Sequence, residues 1–230
     1  MEYTTDKEIE DFELTKTLFH LLDNTITFST VKSTTGDIML NAPKGEIYFE
    51  YLSSGYRTCI FVLFGIIKEI EFRFKEEISA KEFDGVILID EVDVHLHPLW
   101  QAKLIKILKT TFDKAQIIAT THSPSVLQSL EKDEIIALAC DDNGKTCVKE
   151  LLLGEYGLQG WSLEEIMKDV MGMPSTVSEL YNNTMKLFDQ AMYDENFEDV
   201  KRHFDILDKM LHPNSIQRKL LQIQMAGLVE

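Results

Sequence analysis

The sequence predicts an α/β fold: a parallel sheet, with an antiparallel β region before it and a helical tail after it. Three observations carry this expectation. Short apolar runs at Val86–Asp90 ("VILID"), in "AQIIATTH" and in "EIIALAC" alternate with stretches of helical period. That order implies parallel strands joined by right-handed crossovers. Ahead of them, residues 26–51 are rich in β-branched and aromatic side chains broken by turn signals, and beyond Gly154 the apolar residues recur at helical spacing.

Each element follows from local pattern. Phe12, Leu14, Leu18, Phe19 and Leu22 sit at roughly helical spacing within residues 5–23, which predicts a first helix. Turn signals at Thr35-Gly36-Asp37 and Pro43-Lys44-Gly45 divide the β region into two or three short antiparallel strands. "LSSGYRT" interrupts the strand pattern and opens an apolar helix over residues 58–76. The run at Val86–Asp90 suits a strand covered on both faces. Trp100, Leu104, Ile107 and Leu108 mark the next helix, and Ser123-Pro124 starts a short one ending at Leu130. "EIIALAC" is expected as a third parallel strand, after which Asp141-Asp142-Asn143-Gly144 turns the chain into a hairpin partner, "KTCVKELLL". In the tail, Ser162-Leu-Glu-Glu165 reads as a capping box closed by Gly172 and Pro174. Val177 to Ala191 and Phe197 to Leu211 carry apolar helical stripes, His212-Pro213 breaks the pattern, and a last helix follows to Met225. Two domains are expected, 1–153 and a helical region over 154–230.

Composition narrows the function. Acidic residues outnumber basic ones 39 to 23, a net charge of −16. That field repels a phosphate backbone, so nucleic acid is expected only as an indirect partner. Glu155–His212 holds twelve acidic and five basic residues and supplies no basic patch. Cys59, Cys140 and Cys147 form no CxxC. The odd number reads as reduced thiols of a cytoplasmic protein; a Cys140–Cys147 pair across the hairpin is the alternative. The polar, acidic N-terminus is no signal peptide. The longest apolar stretch, Cys59–Ile67, is about half the length that spans a bilayer, so no membrane partner is expected.

Three strings punctuate the fold: LSSG at 52–55, Asp90-Glu91, and TTH at 120–122. In an open parallel sheet functional groups gather at the carboxyl ends of strands. Asp90-Glu91 and His122 end two predicted strands and should meet in one crevice. The plain alternatives are a helix cap with a solvated acid for Asp90 and Glu91, a structural histidine for His122, and an ordinary N-cap for Ser53 and Gly55. Tyr56 and Arg57 are expected as helix-start residues, either simply exposed or touching the partner. His95 and His97, beside two carboxylates, also suit zinc. On a continuing strand both imidazoles would lie on one face, but Pro98 follows at once.

These motifs carry a resemblance. LSSG, ILIDE and a histidine after a second apolar strand, in that order, are similar to the ABC-type ATPases of the SMC and RecF kind. The strings LSSGYR, LIDEVDVHLHPLWQ and TTHSPSVL resemble more closely a bacterial group that includes the ATPases of Septu-type and retron-associated anti-phage systems. The similarity is strong over residues 50–130 and loose at "GWSLEEIMKDVMGM". It implies a P-loop NTPase-like sheet that binds ATP and Mg²⁺. Asp90 takes the Walker B role toward Mg²⁺, which keeps much of its water shell. Glu91 orients the attacking water and His122 contacts the γ-phosphate. Ser53, Ser54 and Gly55 form the signature loop, which closes on ATP held by a second chain in a homodimer. His97 falls where SMC-like proteins carry the D-loop aspartate, and it is expected to sense the partner's nucleotide; plain loop packing is the alternative. A nuclease effector is the implied companion in defence.

The phosphate-cradling string GxxxxGK[ST] is absent from the 230 residues. The nearest, "ACDDNGKT" at Ala139–Thr146, places Asp141 and Asp142 against phosphate and reads as a hairpin turn. The chain therefore resembles the C-terminal half of such an ATPase, and a Walker A lobe is an expected partner. Alone, it is expected to be inactive. Two other functions stand beside this one: a non-catalytic adaptor, and a metal-dependent hydrolase using His95, His97, Asp90 and His122.

Overall fold

In a computed structural model, residues 6–74 and 78–227 are described. They fall into two compact units, one ending at Ile166 and the other starting at Met167.

The first unit opens with α1 (Asp6–Leu22) and an antiparallel meander of β1 (Thr27–Val31), β2 (Ile38–Ala42) and β3 (Gly45–Tyr48). Its two turns fall at the predicted positions, where Gly36 and Gly45 have φ of +78° and +121°. Helix α2 (Ser54–Phe74) begins four residues before the expected start at 58, because Ser53 caps it: the Ser53 Oγ accepts the Tyr56 N–H at 3.3 Å. Tyr56, Cys59, Ile60, Leu63, Ile67 and Ile70 are all buried, one stripe of helical period. Leu18, Phe19 and Leu22 of α1 meet that stripe in the same core. Phe19 is the hub, its ring 5.7–6.3 Å from those of Phe28, Phe49 and Phe64. Burial pushes the Cys59 thiol up to about 12, so it stays protonated and inert.

β4 (Val86–Ile89), α3 (Pro98–Thr111) and β5 (Gln116–Ala119) form the predicted strand–helix–strand unit, with β4 and β5 parallel and Ile87 opposite Ile117. The sheet departs from expectation in two ways. β4 is not covered on both faces: Ile87 is buried, whereas Leu88 is 75% and Ile118 51% exposed. Among the described residues nothing packs on that outer side. Nor does "EIIALAC" join β5. As β6 (Ala137–Cys140) it pairs antiparallel with β7 (Thr146–Lys149), because the Asp141–Gly144 turn delivers a partner strand at once and closing a short loop costs little entropy. The Asp141 carboxylate accepts the N–H groups of Asn143 and Lys145. "ACDDNGKT" is thus a hairpin. In its register Cys140 faces Thr146 and Cys147 faces Ala139, so the two thiols lie on opposite faces and all three cysteines are free.

A short helix, α4 (Pro124–Leu127), follows β5, and a one-turn helix, α5 (Leu163–Glu165), carries the predicted Ser162–Glu165 capping box. A π turn over Ile166–Val170 leads to Gly172 at φ +72°. The second unit holds α6 (Glu179–Tyr193), α7 (Phe197–Met210) and α8 (Ile216–Ala226) around Phe188, Val200, Phe204, Leu207 and Leu221. Ser178 and Asn196 supply the caps. Among the described residues no helix is long and apolar enough to cross a membrane.

One buried charge sets a pH dependence. Asp11 on α1 is 2% exposed, and its carboxylate accepts the Ala80 N–H at 2.7 Å, tying the segment before β4 to α1. Burial raises its pKa, and burial together with Asp11 raises that of Glu71. A carboxyl with a raised folded-state pKa costs stability while ionised, and acidification through that pKa relieves the cost. Asp11→Asn keeps an acceptor for Ala80 without the charge. Its urea midpoint should exceed the parent's at pH 7, with the gain shrinking toward pH 4. A gain that grows on acidification would contradict the assignment.

Candidate functional site

The site is built at the carboxyl ends of β4 and β5. Asp90 and Glu91 follow β4 directly, and both are exposed. Glu91 has φ +49°, a left-handed conformation that costs a non-glycine residue about 1–2 kcal/mol. Two bonds fix it in place. Its N–H donates to the Thr120 Oγ at 2.7 Å, and the Val92 N–H donates to the Thr120 carbonyl at 3.0 Å. The same Thr120 hydroxyl donates to Asp90 Oδ1 at 2.5 Å. One threonine after β5 therefore holds both acids after β4.

His122 lies two residues further along the same segment. Its N–H donates to Asp93 Oδ1 at 3.3 Å, and the Thr121 hydroxyl donates to that same oxygen. The ends of the two strands are thus laced together by Thr120–Asp90, Thr120–Glu91, Thr121–Asp93 and His122–Asp93. The exposed His122 imidazole stands on the segment that holds the acid pair. Strand-end reasoning found Asp90, Glu91 and His122. It missed Thr120, Thr121 and Asp93, although the hydroxyls in "TTH" and the third acid in "DEVD" were the available signal.

The stretch after Glu91 is a turn, not a strand. His95 has φ +60°, and His97 caps α3, its Nδ1 accepting the Leu99 N–H at 3.3 Å. The two imidazoles therefore do not share a strand face. Among the described residues no three His, Cys, Asp or Glu side chains gather as a metal-holding group, so His95, His97, Asp90 and His122 do not form the four-ligand zinc arrangement.

The LSSG string lies at the start of α2, where Ser53 is the N-cap, Ser54 is exposed and Gly55 is buried. Gly55 packs under the Trp100 indole at the start of α3: a Cβ there would come within 2.5 Å of the ring. Tyr56 is not exposed. It is 2% accessible, its ring lies edge-on to Trp100 at 5.6 Å, and its hydroxyl donates to the Phe19 carbonyl at 2.6 Å. The phenol is long enough to span from α2 to the end of α1, which is why burial wins over the polar tip. Arg57 is half-buried. The LSSG string and the His97 cap are thereby neighbours through Gly55 and Trp100. Gly55→Ala should cost about 1–3 kcal/mol by overpacking, read as a lowered urea midpoint, and Trp100 fluorescence should change with it. An unchanged midpoint would mean that the two helix starts do not touch.

The donor set fits a hydrated magnesium ion. Asp90 is an exposed carboxylate with Oδ1 oriented by Thr120, which leaves Oδ2 for a metal-bound water. Mg²⁺ is bound in this way by one or two carboxylates plus phosphates and waters, not by an all-protein cage.

The chain is similar to known proteins. A family model described as an AAA ATPase domain matches residues 3–127. A Septu protein PtuA of Bacillus thuringiensis is 48% identical over 227 residues, covering 98% of this chain and 57% of its own length. A retron Ec83 probable ATPase of Escherichia coli is 26% identical over 76% of this chain and 32% of its own. The chain thus spans less than two thirds of either relative. Among solved structures, one from work on ATP-driven dimerisation and DNA-stimulated activation of SMC ATPases is similar at 18% identity and a TM-score of 0.46, covering 75% of this chain and all of that one. The match to the family model takes in β4, α3, β5, both acids and His122, and it extends over more than half of the chain: the protein belongs to the AAA ATPase domain family.

Proposed function

We propose that this chain is the catalytic-edge half of a dimeric ATPase in an anti-phage system. It hydrolyses MgATP when a lobe bearing the phosphate cradle is joined to it. The observation that carries the proposal is the Thr120 clasp, which holds a metal-type carboxylate and a second acid side by side at the strand ends, on the segment that bears His122. Phosphoryl transfer needs positioning and charge neutralisation more than covalent chemistry, and the strand ends supply the positioning.

In this reading Asp90 holds the hydrated metal, which when bound neutralises charge on the phosphates. Glu91, fixed by its left-handed backbone, accepts a proton from the attacking water and orients it. His122 donates a hydrogen bond to the γ-phosphate. Ser53 and Ser54, with the N–H groups at the start of α2, meet the nucleotide held by a second copy, and His97 reaches across the same interface. The first compact unit, which ends at Ile166, serves as the ATPase lobe, and the helical unit from Met167 serves partners, a nuclease effector among them. The defence setting rests on the Septu and retron relatives.

Two further facts support the need for a second lobe. These 230 residues contain no GxxxxGK[ST]. The outer face of the β4–β5 pair presents Val86, Leu88 and Ile118 to solvent, and such apolar faces mark contact surfaces. The test is hydrolysis of MgATP by the 230-residue chain alone and after addition of the unmatched part of the Bacillus thuringiensis relative. No turnover alone and turnover on addition are expected. Turnover by the chain alone, or none in either sample, would overturn the proposal.

A further inference from the structure

The buried side chain of Gln101 is not used by the reading above. It projects from the first turn of α3, is 8% exposed, and bonds through both its amide nitrogen and its amide oxygen. Its Nε2 donates to the Leu96 carbonyl at 2.9 Å and to the Asp93 carbonyl at 3.4 Å, and its Oε1 accepts from the Ser123 hydroxyl at 2.6 Å. Ser123, 5% exposed, is the N-cap of α4, where its Oγ accepts the N–H groups of Ser125 and Val126 at 3.1 and 3.3 Å. It sits next to His122, and its own N–H donates to the Thr121 Oγ at 3.0 Å. One amide therefore joins two segments. One is 93–97, which carries His95 and His97. The other is 121–123, which carries His122.

We propose that Gln101 is a positioning residue that makes these two segments move as one. The contact His122 makes with nucleotide in its own site is thereby linked to the segment that faces the second copy. The proposal rests on the ATPase reading for the meaning of that link, but not for its existence. The side chain must be an amide. Glutamate offers no N–H groups to the two carbonyls and sets a negative charge against them. Methionine has the volume, but it takes from the Leu96 carbonyl its side-chain donor and from the Ser123 hydroxyl proton its acceptor, where an unpaired group is costly; the Asp93 carbonyl keeps the Leu96 N–H at 3.1 Å. Asp93 acts in parallel, since its carboxylate receives the Thr121 hydroxyl and the His122 N–H while its carbonyl receives Gln101.

Two measurements test this. The first is amide hydrogen exchange on the 230-residue chain, which requires no nucleotide. In Gln101→Met, exchange should accelerate about tenfold or more at Leu96 and at Ser123, Ser125 and Val126 together, about 1.4 kcal/mol of lost protection. The β1–β3 amides should be unchanged. Ser123→Gly removes the hydroxyl that reaches Gln101 while leaving a residue that caps nearly as well, so it keeps the test open if the methionine variant does not fold; because that hydroxyl is also the acceptor of the Ser125 and Val126 amides, the reporter in this variant is Leu96, on the other segment. Loosening of only one segment, or of neither, overturns the link. The second measurement is steady-state hydrolysis by the chain completed with the unmatched part of the relative. Gln101→Met should lower kcat about 10- to 100-fold with KM for MgATP within about twofold. The double variant with Ser123→Gly should be no worse than either single one, because the two residues act as one unit. Additive losses, or a rise in KM with kcat intact, overturn the functional half. Glu91→Gln, run beside them, separates the cases: hydrolysis that survives it sinks the ATPase reading, while hydrolysis that it destroys but Gln101→Met spares sinks this inference alone.

Discussion

Replacing Glu91 with Gln is expected to lower kcat for MgATP hydrolysis by the completed assembly about 10²- to 10⁴-fold, the range lost when a positioned proton acceptor is removed. Nucleotide binding should persist. The substitution is isosteric, and the backbone N–H that donates to Thr120 remains. What disappears is the negative charge that polarises water. Equilibrium binding of labelled ATP and steady-state turnover on the same sample separate the two effects. Retention of more than about a tenth of the parent kcat would remove Glu91 from the chemistry. The left-handed backbone adds a second arm. Glycine adopts φ near +49° without the penalty a side chain incurs, so Glu91→Gly should raise thermal stability by about 1 kcal/mol while ending turnover. Activity and stability moving in opposite directions at one position is the signature of strain held for function.

The largest expected loss of stability comes from Tyr56→Ala. Truncating a fully buried aromatic typically costs about 3–5 kcal/mol, a large share of the 5–15 kcal/mol that holds a domain together. Tyr56 joins three helices: it lies on α2, its ring meets Trp100 of α3, and its hydroxyl reaches the carbonyl of Phe19 on α1. Burial pushes its phenol well above the ordinary tyrosine range, so the hydroxyl remains a donor at every pH of interest. Tyr56→Phe removes only that donor. The Phe19 carbonyl still accepts the Asp23 N–H at 3.1 Å, so the cost should be about 1 kcal/mol. Urea unfolding followed at Trp100 measures both. A Tyr56→Ala cost below about 1 kcal/mol would show that the helix junction is not packed as described.

Much of the fold was legible because local chemistry decided it. The meander turns were announced by Gly36 and Gly45, the tail helices by their caps and apolar stripes, and the acid pair and His122 by their places after apolar runs. What stayed hidden depended on distant partners. Tyr56 read as an exposed helix-start residue, because nothing nearby in sequence says that Trp100 covers Gly55 and Tyr56. The run "EIIALAC" looked like a further parallel strand, yet strand composition does not choose an edge, and the tight turn after it chose β7. The alternation His95–His97 suggested one strand face, and the left-handed turn at His95 removed it. Thr120 and Gln101 are ordinary residues in isolation. Their roles arise only when β4 and β5 lie side by side, a pairing that brings residue 90 to residue 120.

The wet outer side of the β4–β5 pair has a consequence beyond chemistry. Val86, Leu88 and Ile118 form a greasy surface, and the strand edges beside it offer unsatisfied backbone groups to any passing chain. In a cell, surfaces of this kind are what chaperones hold and proteases inspect, and abundance follows how long they stay bare. The lifetime of this polypeptide should therefore be set by its companion: scarce when made by itself, plentiful when something sheathes that side.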